Sequence, residues 1–179
     1  MHSSRHIRVY LIGFMGSGKT HVGQQLAALA QMPFMDLDDL IVQQQQHTIT
    51  ELFERSGESA FRQMEQAALH TTAEYAQAII ACGGGTPCFF DNMDWMNRHG
   101  ITIFLDVPAS ILAQRLYGEM AQRPLLRGLD KDALQSWIEE KQAQRLPFYQ
   151  QASVIYQVQS NQEYVSEALW QHFQHITGH

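Results

Sequence analysis

The sequence has few positive charges, two cysteines and no long apolar run, and each shortage excludes a class of protein. Twelve Lys and Arg face 18 Asp and Glu, so the formal net charge is −6. Nucleic-acid binding is not expected, because affinity for a phosphate backbone requires clustered positive charge. Cys82 and Cys88 are too few for a disulfide framework or a zinc site. No apolar run approaches the ~20 residues of a membrane span.

The start of the chain also lacks the profile of a signal peptide. Its apolar stretch is interrupted by the segment from Gly16 to Lys19, which a secretory h-region would not contain. We therefore expect a cytoplasmic protein that contacts neither membrane nor nucleic acid, and we expect it to be a monomer. With 179 residues, 45% of them hydrophobic, the chain suits a single domain over residues 1–179 with its own core.

Apolar segments of strand length alternate with segments of helical spacing. The strand candidates are Ile7–Ile12, Phe34–Leu37, Ala78–Cys82, Ile101–Val107 and Ser153–Val158. Near-continuous apolar strands that alternate with helices are typical of a parallel sheet covered on both faces. The sequence therefore predicts an α/β protein, an open five-stranded sandwich that binds its ligands beyond the carboxyl ends of the strands.

Three polar positions predict where helices begin. Thr48–Glu51 and Ser160–Glu163 have the spacing of a capping box, in which the first and fourth residues satisfy each other's backbone N–H groups. Asp130 precedes a long segment with helical spacing and is expected to cap it.

The segment after the first predicted strand matches the P-loop pattern G-x-x-x-x-G-K-[ST]. Its glycines let successive backbone N–H groups turn inward towards phosphate oxygens. Lys19 would place a positive charge on the β- and γ-phosphates, and the Thr20 hydroxyl would bind Mg²⁺. A chance glycine-rich turn is the alternative, but the motif follows a predicted strand and opens a predicted helix, as a P-loop must. The predicted nucleotide-binding residues are Gly13, Gly16, Ser17, Gly18, Lys19 and Thr20.

Two aspartates, Asp36 and Asp38, end the second predicted strand. Residues i and i+2 of a strand face the same way, so we expect both carboxylates to converge in the ligand cleft. One would hold Mg²⁺ through water, and the other would orient or deprotonate an attacking hydroxyl group. The alternative is that Asp38 or Asp39 only caps the following helix, which accounts for one carboxylate but not for two on one face.

Three further segments carry candidate binding residues, each with a structural alternative. Arg62 precedes Glu65 by three residues on a predicted helix, and a surface ion pair is the simpler interpretation of that spacing. Gly83–Gly85 follow the third strand, where they allow a close approach of backbone to ligand or form an ordinary turn. Arg123 belongs either to a lid that carries an arginine to the phosphates or to a plain loop.

Together these motifs resemble those of the shikimate kinase family over essentially the whole chain. The specific signal is their order: the P-loop, Asp36-x-Asp38, Phe61-Arg62-x-x-Glu65, Gly83-Gly-Gly, Arg123-Pro-Leu-Leu, and Arg145 before Pro147-x-Tyr149. The resemblance implies a P-loop NTPase, a three-layer sandwich of the nucleoside-monophosphate-kinase type with five parallel strands in the order 2-3-1-4-5. It also implies ATP- and Mg²⁺-dependent phosphorylation of the shikimate 3-hydroxyl to shikimate 3-phosphate, in chorismate and aromatic amino acid biosynthesis.

The resemblance further implies a role for each matched residue. Asp38 would bind the shikimate hydroxyls as the candidate base, and guanidinium forks would clamp the shikimate carboxylate, which they bind bidentately. The lid arginine would also contact the nucleotide. The implied catalytic residues are Lys19, Asp38 and Arg123, the implied metal ligands are Thr20 and Asp36, and the implied shikimate contacts are Asp38, Phe61, Arg62, Gly84, Gly85 and Arg145.

The resemblance also implies a substrate-binding segment and a mobile lid, and the sequence departs from the family pattern at the start of the lid. The substrate-binding segment spans about 37–65, and the lid spans about 116–129. Members commonly have an arginine shortly before the lid arginine, packed on the adenine ring. Here that position is Leu116, so that either Arg115 or Tyr117 replaces the contact or the base is held more loosely.

The sequence leaves two other functions open. One is a small-molecule kinase of the same fold that acts on another acceptor, such as gluconate. The other is a catalytically silent nucleotide-binding protein. Arg62 and Arg145 favour a carboxylate acceptor, although gluconate also has one. Against the silent protein, every implied catalytic position is intact apart from the adenine contact.

Overall fold

Strands and helices alternate along the chain in the computed structural model, which describes residues 7–118, 126, 130–160 and 165–177. The strands in these residues are β1 (Ile7–Ile12), β2 (Phe34–Asp36), β3 (Gln77–Ala81), β4 (Ile101–Asp106) and β5 (Val154–Gln157). The helices are α1 (Lys19–Ala30), α2 (Leu37–Gln45), α3 (Ile49–Thr71), α4 (Asn92–His99), α5 (Ala109–Tyr117), α6 (Lys131–Tyr149) and α7 (Val165–Thr177).

The strands form one parallel sheet in the order β2-β3-β1-β4-β5. This order confirms the expected 2-3-1-4-5 arrangement. β1 lies at the centre, where Val9 is paired with Ile79 of β3 and with Ile101 of β4. Because all five strands are parallel, their carboxyl ends meet at one edge of the sheet, which is where ligands bind in such folds.

Alternate residues of the central strand supply two separate apolar cores. Val9 and Leu11 belong to one core, with side chains of α1, α5 and α7, whereas Tyr10 and Ile12 belong to the other, with side chains of α2, α3 and α4. Helix α6 contributes to both, through Ile138 on the first and Tyr149 on the second. The molecule is therefore the three-layer sandwich that the near-continuous apolar strands predict.

The predicted helix starts are confirmed where the structure describes them. The Thr48 hydroxyl accepts a hydrogen bond from the Glu51 N–H, and the Glu51 carboxylate accepts one from the Thr48 N–H, which completes a capping box at the start of α3. Asp130 accepts from the Ala133 N–H at the start of α6. The third predicted start, Ser160–Glu163, extends beyond the described residues.

Helix α3 contains one residue with non-helical geometry. Gly57 has φ 77° and ψ 172°, a positive φ that glycine adopts without the steric cost that a side chain incurs. The break separates the first turns of α3 from the part that carries Arg62. No helix among the described residues combines the length and the apolar character needed to cross a bilayer.

Candidate active site

A cavity of about 350 Å³ opens at the carboxyl edge of the sheet, between the P-loop and the ends of β2 and β3. It brings together the P-loop, the two aspartates and the glycine run, which are far apart in sequence. Its lining residues are Met15, Gly16, Gly18, Lys19, Thr20, His21, Asp36, Asp38, Cys82, Gly83 and Gly84. This is the edge at which an open parallel sheet is expected to bind ligands.

The P-loop runs tightly between its neighbours. A Cβ atom at Gly13 would lie 2.9 Å from the Leu105 carbonyl oxygen, and one at Gly16 would lie 2.9 Å from a methyl group of Leu116. Both glycines also have positive φ, 144° and 76°. Helix α1 begins directly after the loop, so its N-terminal N–H groups and its dipole face the cavity. Such an arrangement suits a phosphate group.

Lys19 places its ammonium group inside the loop. The Nζ atom donates hydrogen bonds to the carbonyl oxygens of Gly13 at 2.9 Å and Phe14 at 2.8 Å. Burial lowers the pKa of Lys19 to about 8, and the Asp38 carboxylate opposes that shift. Below this pH the ammonium is charged, so the cavity holds a positive charge where phosphate oxygens are expected.

Thr20 and Asp36 supply hard oxygen atoms beside the ammonium. The Thr20 hydroxyl donates to Asp36 Oδ2 at 2.8 Å. Hydroxyl and carboxylate oxygens are ligands that Mg²⁺ prefers, and the ion usually takes only one or two protein groups because it keeps waters and phosphate oxygens. No group of three or more His, Cys, Asp or Glu side chains suited to a metal occurs among the described residues. The site therefore fits a Mg²⁺ ion shared with a nucleotide.

The predicted reason for the convergence of Asp36 and Asp38 is wrong, although the two do converge. Strand β2 ends at Asp36, and Asp38 lies in the first turn of α2. The cap of this helix is Asp36, whose Oδ1 accepts from the Asp38 N–H at 3.0 Å, and not Asp38 or Asp39. This bond lies at the point where the strand ends and the helix begins. The first turn of the helix, and not the strand, therefore brings Asp38 into the cavity.

Asp38 is a buried carboxyl group with two other acids nearby. Burial, together with the negative charges of Asp36 and Glu65, raises its pKa to about 6, and Lys19 acts in the opposite direction. A carboxyl group with a pKa near neutrality releases its proton at physiological pH and accepts one readily. Asp38 therefore has the acid–base properties of a general base.

Arg62 is paired with Glu65, but the surface ion pair suggested by their spacing is wrong. The side chains of Arg62 and Glu65 are only 12% and 1% exposed, and Arg62 Nη1 donates to Glu65 Oε2 at 2.8 Å. The other oxygen of Glu65 accepts from the Thr86 hydroxyl at 2.6 Å. A buried ion pair with further hydrogen bonds fixes its members more firmly than an exposed one, so Arg62 has a defined position.

The two arginines expected to bind the substrate carboxylate, Arg62 and Arg145, both approach the backbone at the glycine run. A Cβ atom at Gly85 would lie 2.9 Å from Arg62 Nη1, and one at Gly84 would lie 3.2 Å from Arg145 Nη1. Tyr149, one helical turn beyond Arg145, donates from its hydroxyl to the Gly84 carbonyl oxygen at 2.5 Å. The run is thus more than an ordinary turn, because the absent side chains leave room for two guanidinium groups.

Several aromatic neighbours of these arginines were not identified from the sequence. Arg62 Cζ lies 4.1 Å from the ring centroid of Phe89, and Arg145 Cζ lies 5.1 Å from that of Phe14. No local pattern marks either ring. The implied shikimate contact Phe61 is 3% exposed and packs on Phe53 in the second core, so its contact with substrate stays a prediction.

Leu116 stands where the family commonly has an arginine on the adenine ring, and its neighbours Arg115 and Tyr117 lie in different environments. Arg115 Nη1 donates to the carbonyl oxygens of Gly16 at 3.1 Å and Ser17 at 3.3 Å, so it lies against the P-loop. Leu116 is fully buried in the first core, and Tyr117 is 53% exposed. Arg123 and most of the predicted lid lie outside the described residues, and their roles stay predictions.

Sequence comparisons point to one family. The profile of the family described as "Shikimate kinase" matches residues 15–175. A shikimate kinase from Bacteroides fragilis is 46% identical over 150 residues, which cover 84% of each chain. A shikimate kinase from a Synechococcus species is 36% identical over 170 residues, which cover 93% of this chain and 87% of the relative.

Solved structures give the same result. The crystal structure of a shikimate kinase from Bacteroides thetaiotaomicron superposes with a TM-score of 0.88 at 39% identity, over 97% of this chain and 99% of that one. A shikimate kinase from Acinetobacter baumannii, solved in complex with shikimate, superposes with a TM-score of 0.82 at 30% identity, over 96% of this chain and 93% of that one.

Proposed function

The chain belongs to the shikimate kinase family, and from this premise we propose that it transfers the γ-phosphoryl group of ATP to the 3-hydroxyl of shikimate. The products are ADP and shikimate 3-phosphate, and the reaction serves aromatic amino acid biosynthesis. The observation that supports this function best is the placement of Asp38 between two parts of one site. Asp38 lines one cavity with Lys19 and the P-loop, and it also lies beside Gly83, the first residue of the glycine run against which the two guanidinium groups pack.

The phosphate side works through backbone N–H groups and one lysine. The P-loop and the start of α1 bind the phosphate oxygens, and Lys19 neutralises charge that builds up as the phosphoryl group moves. Thr20 and Asp36 would hold Mg²⁺. When bound, the ion screens the charges of the β- and γ-phosphates.

The acceptor side orients shikimate and removes a proton. Arg62 and Arg145 hold the carboxylate of the substrate, since a guanidinium fork matches a carboxylate in shape and charge. Asp38 accepts the proton of the attacking hydroxyl group, for which its pKa of about 6 is suitable. Because phosphoryl transfer requires little covalent chemistry from the protein, positioning and charge stabilisation provide most of the rate enhancement.

The remaining expectations complete the proposal. The chain acts as one catalytic domain, a monomer in the cytoplasm. Its segment 37–65, which comprises α2 and most of α3, forms part of the shikimate site. The lid at about 116–129 closes over the nucleotide and excludes water, which would otherwise compete as the acceptor. Arg123 brings its charge to the phosphates when the lid closes.

A coupled assay for ADP with three acceptors tests the function. We expect turnover with shikimate at least about 100-fold faster, in kcat/KM, than with gluconate or a nucleoside monophosphate. A nucleoside monophosphate lacks the carboxylate, and gluconate is an open chain whose hydroxyl groups are not held by a ring in a fixed arrangement relative to its carboxylate. Equal or faster turnover with gluconate would refute the substrate assignment. Nucleotide binding without transfer to any acceptor would identify a silent nucleotide-binding protein instead.

A further inference from the structure

The guanidinium group of Arg62 is surrounded by aromatic rings from two segments of the chain. The ring centroids of Phe53 and Phe61 lie 5.8 and 5.3 Å from Arg62 Cζ, and both residues belong to α3, as Arg62 does. The centroid of Phe89 lies nearer, at 4.1 Å. Phe89 comes from the segment that follows the glycine run, so it is the contact that links Arg62 to a second element.

Gly85 lies against the same guanidinium group. The Cβ position of this glycine is 2.9 Å from Nη1, 2.9 Å from Nη2 and 3.0 Å from Cζ of Arg62. A point almost equally distant from these three atoms lies over the flat face of the group and not at its edge. Gly85 and Phe89 together therefore determine the plane in which the guanidinium lies.

The plane of the guanidinium decides which ligand it can bind. Its five N–H groups all point outward within that plane. Nη1 donates to Glu65 and Nη2 donates to Glu58, whose side chain is 60% exposed. Among the described residues, the buried Nε atom has no hydrogen-bond partner. Since a planar carboxylate needs two parallel N–H bonds in one plane, a tilt of the guanidinium would remove the match.

We propose that Phe89 is a positioning residue for the acceptor. Its ring packs on the Arg62 guanidinium and fixes the plane in which that group binds the substrate carboxylate. The proposal rests on the proposed function, in which this carboxylate is that of shikimate. Phe89 acts through Arg62 and needs no contact with shikimate itself. The sequence motif of the site contains Arg62 but not this ring, which comes from a separate segment.

The test uses three variants. Phe89→Met keeps an apolar side chain of similar size but removes the π face, and Phe89→Tyr keeps the face. Phe90→Met is the matched control, because Phe90 is the adjacent residue and its ring is 57% exposed. The measurements are the KM values for shikimate and ATP, kcat, the calorimetric Kd for shikimate without nucleotide, and the thermal midpoint of each variant.

We expect Phe89→Met to raise the KM and the Kd for shikimate about fivefold, which is the typical effect of losing one partly buried cation–π contact. Phe89→Tyr and Phe90→Met should stay within about twofold of the wild type, and the KM for ATP should not change in any variant. Equal values for the Met and Tyr variants, or an equal rise in both KM values, would overturn the proposal.

A spectroscopic measurement separates this inference from the proposed function. The Nε–H proton of Arg62, assigned through Arg62→Lys, should be shifted upfield chiefly by the ring current of Phe89, the nearest ring, and Phe89→Met should remove most of that shift. A wild-type protein that neither binds nor phosphorylates shikimate would refute the proposed function, and the role of Phe89 with it, even if the ring-current shift is present. Normal shikimate turnover without the shift would refute only the role of Phe89.

Discussion

The two sides of the cavity are built in different ways. Apart from Asp36, the proposed phosphate side comes from one continuous segment, residues 13–20, and it offers mainly backbone N–H groups whose directions follow from local conformation. The acceptor side is assembled from α3, the glycine run and α6, and its contacts are side chains held by other side chains. The phosphate side therefore depends on local geometry, whereas the acceptor side depends on how distant segments pack.

This difference predicts which variants should change kcat and which should change the KM for shikimate. Changes on the phosphate side remove charge stabilisation at the transferred group and should lower kcat strongly. Changes on the acceptor side alter the orientation of a bound substrate and should mainly raise its KM. Asp38 lies between the two sides and should combine a large kcat effect with a change in stability.

We expect the largest effect from Lys19→Ala, with kcat/KM lowered about 1,000-fold or more, because a preorganised charge at the phosphates is lost. The coupled ADP assay measures this change. Lys131→Ala, at the exposed start of α6, is the control and should behave like the wild type. A kcat for Lys19→Ala near that of the wild type would contradict the phosphate assignment and with it the division of the cavity.

Asp38→Asn should lower kcat by about 100-fold or more while the KM for ATP stays nearly unchanged, because a general base is removed without a change in shape. The same variant should be more stable at pH 7. The folded-state pKa of Asp38, about 6, is above its ordinary value of 3.8, so ionisation of this group destabilises the fold as pH rises. The cost corresponds to roughly 3 kcal/mol at most, and denaturant titration measures it. An unchanged kcat would exclude Asp38 as the base.

The pH dependence of kcat/KM should have two limbs. Asp38 must be ionised, so activity should fall about tenfold per pH unit below pH 6, and Lys19 must be protonated, so activity should fall similarly above pH 8. Rates measured from pH 4.5 to 9.5 at constant ionic strength test this expectation. Asp38→Asn should remove the acid limb, and its persistence in that variant would assign the limb to another group.

Arg62→Lys should raise the KM for shikimate about tenfold with a smaller change in kcat, because an ammonium group cannot reproduce the two parallel bonds of a guanidinium. Arg98→Lys is the control, since Arg98 forms exposed ion pairs on α4. If the KM for shikimate does not change, Arg62 serves only as a partner of Glu65, and the acceptor side needs a different carboxylate ligand.

The smallest effect should come from Tyr149→Phe. Its hydroxyl holds the Gly84 carbonyl, and in a planar trans peptide the N–H of Gly85 points the opposite way. Loss of this bond should raise the KM for shikimate about threefold to fivefold, as expected for one hydrogen bond. Tyr10→Phe is the matched control, because Tyr10 is also buried and its hydroxyl contacts Thr72 away from the cavity. Equal effects on KM from both changes would point to a general packing effect.

The part of the molecule that follows local rules could be predicted from the sequence. The bounds of β1 and the P-loop follow from an apolar run and a glycine pattern, and the order of the strands follows from the family resemblance. The capping box at Thr48 was also predicted, because it needs only two residues three apart. In each of these cases the interaction is local or the pattern is specific.

The parts that could not be predicted depend on contacts between distant segments. An Arg62–Glu65 spacing is the same on an exposed and on a buried helix face. Here Thr86 and Phe89, which come from another segment, contact the pair and help to bury it. The second wrong prediction concerns the end of β2, which was expected to include Asp38. Its end is decided by the hydrogen bond from the Asp38 N–H to Asp36, which an apolar pattern does not report.

The two carboxylate oxygens of Glu65 accept hydrogen bonds from different elements. One bond comes from Arg62 on the same helix, and the other comes from Thr86 in the turn after β3. Aspartate is one methylene shorter and would not reach both partners. Glutamine could accept from Arg62 and donate to the Thr86 hydroxyl, but it would remove the negative charge that balances the largely buried guanidinium group. A change at Glu65 would therefore disturb the Arg62 guanidinium group and the turn after β3 together, because one carboxylate holds both.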